Sequence, residues 1–288
     1  MMKTAIFGKA YQPSHASGIL GLMSSLLEHG VEVCVECEFS AILRQLGSEA
    51  YASLPTFECD ALPPQVDLVL SLGGDGTFLN TVMWVGRREL PIVGINTGHL
   101  GYLTAYRLDE APAAVERLLT GDYDVEARTM LEVRCSAVQI EHPYALNDIA
   151  ILRHDTSAML ELETRLSGVP LTTYKSDGLI VSTPTGSTAY NLSAGGPIIA
   201  PQAQCVVLSP LSPHSLTMRP LVVPDDAVIE VTTCSRAGQY QVSVDGEVFV
   251  CPTTSSVTIL KAPFRAMVVQ PRGRDFASTL RQKLHWGG

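Results

Sequence analysis

The stretch Asp67-Leu-Val-Leu-Ser-Leu-Gly-Gly-Asp-Gly-Thr-Phe-Leu-Asn80 reads as a buried strand that runs into a glycine-rich turn and then a helix. Glycine serves where backbone must turn at positive φ or come into van der Waals contact with a ligand, and Gly73, Gly74 and Gly76 exceed the needs of a turn. Loops of this kind bring backbone N–H groups up to phosphate, usually beside a lysine that holds the charge. Here the loop carries Asp75 instead. A carboxylate at that place has three uses. It can cap the following helix, accept the proton of a hydroxyl that attacks a phosphate, or help hold a Mg²⁺ ion that neutralises the phosphates. The loop alone leaves all three open.

The neighbouring residues show which kind of sheet the strand belongs to. Thr4–Phe7, Val31–Cys37 and Ile92–Ile95 are short apolar, strand-like runs, and Ser14–His29 and Thr77–Val85 have helical spacing, the first closing at Gly30. Alternation of this sort predicts βαβ units and a mostly parallel sheet, whose ligands lie at the carboxyl ends of the strands, where Gly73–Thr77 falls. After Gly121 the texture becomes short, β-branched and alternating, as in LEVRCSAVQI, YQVSVDGEVFV and FRAMVVQ. The expected fold is an α/β N-terminal domain with a mostly parallel sheet (residues 1–124) and an all-β C-terminal domain (125–272). Asp275–His285 returns to helical spacing with Phe276, Leu280 and Leu284 on one face, so residues 273–288 are expected to pack back on the first domain.

Composition narrows the functional classes. The chain has 288 residues, 46% of them apolar, enough for packed cores, with no uninterrupted apolar run of membrane-spanning length and no signal-peptide pattern at MMKTAIFGKA. Its net charge of −9 is spread without a basic run, which argues against extended nucleic-acid binding. Seven cysteines, an odd number, fit free thiols in a cytoplasmic, reducing setting. Cys34 and Cys37 lie in the alternating VEVCVEC and are expected on opposite faces of one strand, which would exclude a shared metal or disulfide.

Two more constellations could carry chemistry. Lys175-Ser-Asp-Gly-Leu-Ile-Val-Ser-Thr-Pro-Thr-Gly-Ser-Thr-Ala-Tyr-Asn-Leu-Ser-Ala-Gly-Gly-Pro197 packs hydroxyls (Ser182, Thr183, Thr185, Ser187, Thr188 and Ser193) around one aromatic, Tyr190. Such hydroxyls can bond ribose, amide or phosphate oxygens, and Tyr190 offers a face to a base or a side to the core. Asn147-Asp148 could bind vicinal ribose hydroxyls, the amide donating and the carboxylate accepting, or form an Asx turn.

Taken together, the GGDGT loop, the Asn-Asp pair, the KSDG…TPTGSTAYNLSAGGP block and Pro213-His-Ser-Leu-Thr-Met-Arg-Pro220 resemble the bacterial NAD kinases in order and spacing over nearly the whole chain. The glycine loop alone would be shared with lipid kinases and phosphofructokinases. The resemblance implies phosphorylation of the adenosine 2′-hydroxyl of NAD by ATP with Mg²⁺ or another divalent ion, in a homo-oligomer, a tetramer. It implies Asp75 as the catalytic acid that takes the hydroxyl proton, with Gly73, Gly74, Gly76 and Thr77 at the phosphates. Asp75, Gly76, Asn147, Asp148, Lys175, Asp177, Thr188, Ala189, Tyr190 and Ser193 would contact NAD, Asp177 in a neighbouring subunit's site. The chain departs from the family at Asp148, where Glu is frequent, which shortens the reach by about one C–C bond. A lipid kinase would be expected to show an apolar or basic interfacial surface, and none stands out. A dinucleotide sensor would have no need of Asp75 among three glycines.

Overall fold

The computed structural model describes residues 2–9, 15–46, 51, 53–98, 101–154 and 159–286. The chain divides into two compact units, Met1–Ala127 with Ala266–Gly288, and Arg128–Arg265.

In the first unit β1 (Lys3–Gly8), β2 (Glu32–Glu36), β3 (Thr56–Phe57), β4 (Leu68–Leu72), β5 (Ile92–Asn96), β6 (Tyr106–Arg107) and β7 (Tyr123–Arg128) alternate with helices α1 (Ala16–Glu28), α2 (Cys37–Gln45), α3 (Asp75–Val85) and α4 (Ala111–Thr120). The helix expected from Ser14 is seen from Ala16, and Ser14 itself lies outside the described residues. Ile19, Leu22, Met23 and Leu26 fall at helical spacing and are buried against the sheet. The helix stops where Gly30 takes φ 72°, with Gly30 N donating to Leu27 O and Val31 N to Leu26 O, each at 3.0 Å. β4 is buried at every position because helices cover both faces of the sheet.

The strand expected through Cys37 ends instead at Glu36, and Cys37 opens α2. The Glu36 carboxylate accepts from Glu38 N at 2.8 Å and Phe39 N at 3.0 Å, and this cap turns an alternating sequence into a helix start. Cys34 and Cys37 are both free thiols.

In the second unit β8 (Leu131–Cys135), β9 (Tyr144–Ala145), β10 (Asp148–Arg153), β11 (Leu160–Leu166), β12 (Val169–Ser176), β13 (Gly178–Ser182), β14 (Cys205–Leu211), β15 (Leu221–Pro224), β16 (Ile229–Cys234), β17 (Gln239–Val244), β18 (Glu247–Pro252) and β19 (Ser256–Lys261) form two antiparallel sheets. Their orders are β15-β14-β13-β10-β17-β18 and β12-β11-β16-β19-β8-β9. Leu160, Leu162 and Thr164 alternate inward with exposed Glu161, Glu163 and Arg165 outward. Side chains of both sheets, among them Ile149, Val181, Val231, Tyr240 and Ile259, share one core. A short helix, α5 (Tyr190–Ser193), follows β13.

β20 (Ala266–Pro271) and α6 (Phe276–Leu284) return to the first unit. The first sheet runs β3-β2-β1-β4-β5-β20-β7, with β6 also on β5, and β20 lies parallel to β5. Both β7 and β20, whose alternation resembles the all-β stretch, therefore lie in the α/β unit. A period of two shows that a segment is extended but not which sheet its backbone joins. Phe276, Leu280 and Leu284 are each half-buried.

Candidate active site

The order β3-β2-β1-β4-β5 places the switch in strand order between β1 and β4, so the ligand crevice of the first unit lies outside their carboxyl ends. Gly73–Thr77 leaves the end of β4 there. Gly74 is the residue before α3 and Asp75 begins the first turn. Gly74 and Gly76 are exposed, and no atom lies within 4 Å of where a Cβ would sit on either. At Gly73 a Cβ would run into the Thr77 side chain, so this glycine closes the turn while the other two leave the backbone open to a ligand.

Asp75 does not cap α3, which has no side-chain cap bond. Its carboxylate instead accepts from Tyr102 N at 2.7 Å and Leu103 N at 3.1 Å, across the sheet end from the loop that follows β5. A Cβ on Gly101 would collide with that carboxylate, so glycine is required at 101 for the approach. Asn96 steadies the same loop, its amide donating to Thr104 Oγ1 at 3.1 Å and its oxygen accepting from Gly98 N at 2.6 Å. Two backbone donors thus hold the acid in one orientation.

The lysine missing from the loop arrives from the far end of the chain. Lys283 Nζ on α6 is buried with no hydrogen-bond partner among the described residues. Burial first, then the Arg274 guanidinium with a smaller push from Arg107, lowers its pKa to about 8 against the opposing pull of the Asp75 carboxylate. Arg274 donates to Ala105 O at 3.2 Å. The sequence reading missed Gly101, Tyr102 and Lys283. Only the glycine carried a local signal, since it stands in a short loop with Gly98.

In the second unit Asn147 and Asp148 sit at the start of β10, where Leu146 N, Asn147 N and Asp148 N donate to the Asp245 carboxylate at 2.7, 2.9 and 3.0 Å. Asp245, in the β17–β18 turn with φ 47°, was also missed, because Val-Asp-Gly-Glu reads as an ordinary hairpin turn. Asp148 is buried, and burial, with the charge of Asp245 added, pushes it up to about 7. Burial pushes Asp245 up to about 6 in spite of its three N–H donors.

The hydroxyl-rich block divides in two. Ser182 donates to Thr183 O at 2.9 Å, Thr183 Oγ1 accepts from Gly186 N at 3.1 Å, and Ser187 donates to Pro184 O at 2.6 Å, so these side chains build the turn rather than face a ligand. Buried Asn191 anchors it, accepting from Ser209 at 2.6 Å and donating to Ser187 O at 3.2 Å and Pro197 O at 3.1 Å. Gly186 packs so closely on the Asn147 backbone that a Cβ would overlap it, which brings the turn and Asn147 together. Thr188 and Ala189 are half-buried, and Tyr190, 44% exposed, and Ser193 face outward beside them.

Lys175 and Asp177 are not brought to this cluster. Asp148 pairs with Ser182 and Leu152 with Gly178, so Asp177 stands at the other end of β13 from Asn147, about 20 Å away for six strand residues. It binds Arg153 Nη1 at 2.7 Å, and Lys175 binds Glu161 at 2.8 Å. Nearby, His214 N donates to Lys175 O at 2.8 Å. Among the described residues no group of three or more His, Cys, Asp or Glu side chains could hold a metal ion, and no helix is long and apolar enough to cross a membrane.

A glycine loop with an oriented acid at a strand-order switch, on a unit continued by a β-sandwich, is the pattern of a nucleotide-dependent phosphotransferase. Comparison with known proteins narrows it. Residues 5–123 match the family model for the ATP-NAD kinase N-terminal domain and residues 146–270 that for the ATP-NAD kinase C-terminal domain. The chain is 42% identical over 290 residues to a Bacteroides fragilis NAD kinase (99% of this chain, 98% of that one). It is 41% identical over 290 residues to a Geotalea daltonii NAD kinase (100% and 99%). Among solved structures it resembles an Archaeoglobus fulgidus NAD kinase in complex with ATP, with TM-score 0.74, 27% identity, and 97% and 99% of the two chains covered. A yeast NADH kinase complexed with NADH shares the fold, with TM-score 0.88, 24% identity, and 100% and 89% covered. The chain belongs to the ATP-NAD kinase family. It is an enzyme that phosphorylates NAD, a phosphotransferase with an alcohol group as acceptor.

Proposed function

We propose that the enzyme transfers the γ-phosphoryl group of ATP to the 2′-hydroxyl of the adenosine ribose of NAD, giving NADP. The observation that carries this reading is Asp75, held by Tyr102 N and Leu103 N between two exposed glycines. Asp75 takes the hydroxyl proton as the oxygen–phosphorus bond forms and the bond to the β-phosphate oxygen breaks, releasing ADP. Gly74, Gly76 and Thr77 present N–H groups at the N-terminus of α3 to the phosphates, while Gly73, whose own N–H donates to Ile95 O at 3.0 Å, closes the turn behind them. In the second unit Asn147 and Asp148 bind ribose hydroxyls, and Thr188, Ala189, Tyr190 and Ser193 contact the rest of the dinucleotide. With its pKa pushed up to about 7 by burial, Asp148 is protonated in about half the molecules at neutral pH, and in that form it can donate as well as accept.

A divalent ion, Mg²⁺ or a substitute, enters with ATP as part of the donor, since a phosphate-borne ion needs only one or two protein carboxylates and fits a site without a protein cage. We further propose a homo-oligomer, a tetramer, in which Lys175 and Asp177 serve a neighbour's site. The separation of Asp177 from Asn147 along β13 supports this, as do the exposed Val248 and Val250 on edge strand β18. Free thiols throughout support a cytoplasmic location. The test is incubation with NAD and Mg-ATP, with the product's phosphate position read by two-dimensional ³¹P–¹H NMR. A 3′-phosphate, or phosphorylation elsewhere, would overturn the 2′ assignment.

A further inference from the structure

Cys135 ends β8 in one sheet of the sandwich, and Cys251 lies in β18 of the other. Their sulfurs are 3.6 Å apart. A disulfide has its sulfurs at about 2.05 Å, so bond formation needs a combined movement of about 1.5 Å, within the range of side-chain rotation. The two differ in access, since Cys135 is half-buried and Cys251 has no exposed surface. Tyr240 and Ser255 close the pocket, the phenol and hydroxyl oxygens lying 2.8 Å apart.

We propose that Cys135 and Cys251 form an oxidisable dithiol that reacts with hydroperoxides, Cys135 as the attacking sulfur and Cys251 as the resolving one. Cys135 Sγ, as thiolate, attacks the terminal peroxide oxygen, so that an S–O bond forms, the O–O bond breaks and the leaving hydroxide (from hydrogen peroxide) or alkoxide (from an organic hydroperoxide) takes a proton to become water or an alcohol. Cys251 Sγ then attacks the resulting sulfenic sulfur. The S–S bond forms, the S–O bond breaks, and the departing hydroxide carries off the Cys251 proton as water. The two sulfurs lose two electrons and the peroxide gains them, and an added thiol reductant reverses the step.

The surroundings favour this order. Burial would raise Cys135, but the N–H groups of Ala137 and Val138, the Ser255 hydroxyl and the Cys251 thiol together draw it below the ordinary thiol value. Burial, followed by the Cys135 contact, pushes Cys251 up to about 12 and keeps it a thiol until the sulfenic acid stands beside it. Among the described cysteines Cys234 is the exposed one.

The test treats the native enzyme with limiting hydrogen peroxide, blocks remaining thiols, and maps them by mass spectrometry. The proposal expects Cys135 to be lost from the alkylatable pool at least ten-fold faster than Cys234, and a Cys135–Cys251 cross-linked peptide about 2 Da lighter than its two thiol peptides. Cys251→Ala should leave Cys135 as a sulfenic acid trapped by dimedone, and Cys135→Ser should abolish the cross-link. If Cys251→Ala does not fold, the wild-type map alone decides. Loss of Cys234 first, as plain exposure predicts, or both Cys135 and Cys251 still alkylatable after other thiols have reacted, would overturn the proposal.

Discussion

A single carboxylate, Asp75, has two backbone donors and no role as a helix cap. Asp75→Asn preserves its size and removes the proton acceptor. It is expected to fold normally and lose about 10²–10⁴ in kcat, which an NADP assay beside a thermal melt will check, and near-wild-type turnover would reduce Asp75 to a structural role. Asp148 makes a prediction of a different kind. Its pKa rises from 3.8 to about 7 on folding, so between about pH 4 and pH 7 the folded chain holds a proton that the unfolded chain has released. Stability from this group is full below pH 4, falls as pH rises through that window, and stays low above it. Asp148→Asn removes the loss, so the variant should match wild type near pH 4 and exceed it by about 1–3 kcal/mol at pH 8, while its activity on NAD falls. Urea midpoints at the two pH values, with identical differences at both, would count against this reading.

At the scale of elements, α3 opens on two exposed glycines and α6 carries Lys283 within the electrostatic reach of Asp75, so in the proposed reaction the N–H groups of the one and the ammonium of the other would meet the donor's phosphates. Lys283→Met should raise KM for ATP about ten-fold, equivalent to the loss of about 1.4 kcal/mol of binding, and leave KM for NAD unchanged. With its pKa near 8, Lys283 carries its charge below that pH and loses it above, so wild type should show a fall in ATP affinity through pH 8 that the variant lacks. An equal change in both KM values would assign α6 a purely packing role. One ammonium still leaves most of a triphosphate's charge unbalanced, so removal of divalent metal by chelation should abolish turnover and Mg²⁺ should restore it. Turnover that persists in chelator would show that protein groups suffice.

For the whole molecule the central question is assembly. Within one subunit β13 separates Asp177 from Asn147 and Asp148, and Arg153 holds Asp177 at its own end of the strand. Asp75→Asn and Asp177→Ala subunits, each weak alone, should recover part of the wild-type activity when co-assembled, because some sites then combine an intact Asp75 with a neighbour's intact Asp177. Hetero-oligomers that form without regained activity would place Asp177 inside its own subunit's structure.

The sequence by itself determined the alternation of strands and helices, the all-β texture after Gly121, the glycine loop with its acid and the Asn-Asp pair, because periodicity, turn chemistry and short motifs act over a few neighbouring residues. It could not decide where α2 begins, since a carboxylate cap at Glu36 overrides the strand pattern of its own segment. Nor could it assign β7 and β20 to the first sheet, bring Gly101, Tyr102 and Lys283 to Asp75, or set Asp245 under Asn147 and Asp148. Each of these depends on residues tens to hundreds of positions apart whose pairing leaves no local trace, and only the packed chain satisfies their hydrogen bonds and charges together.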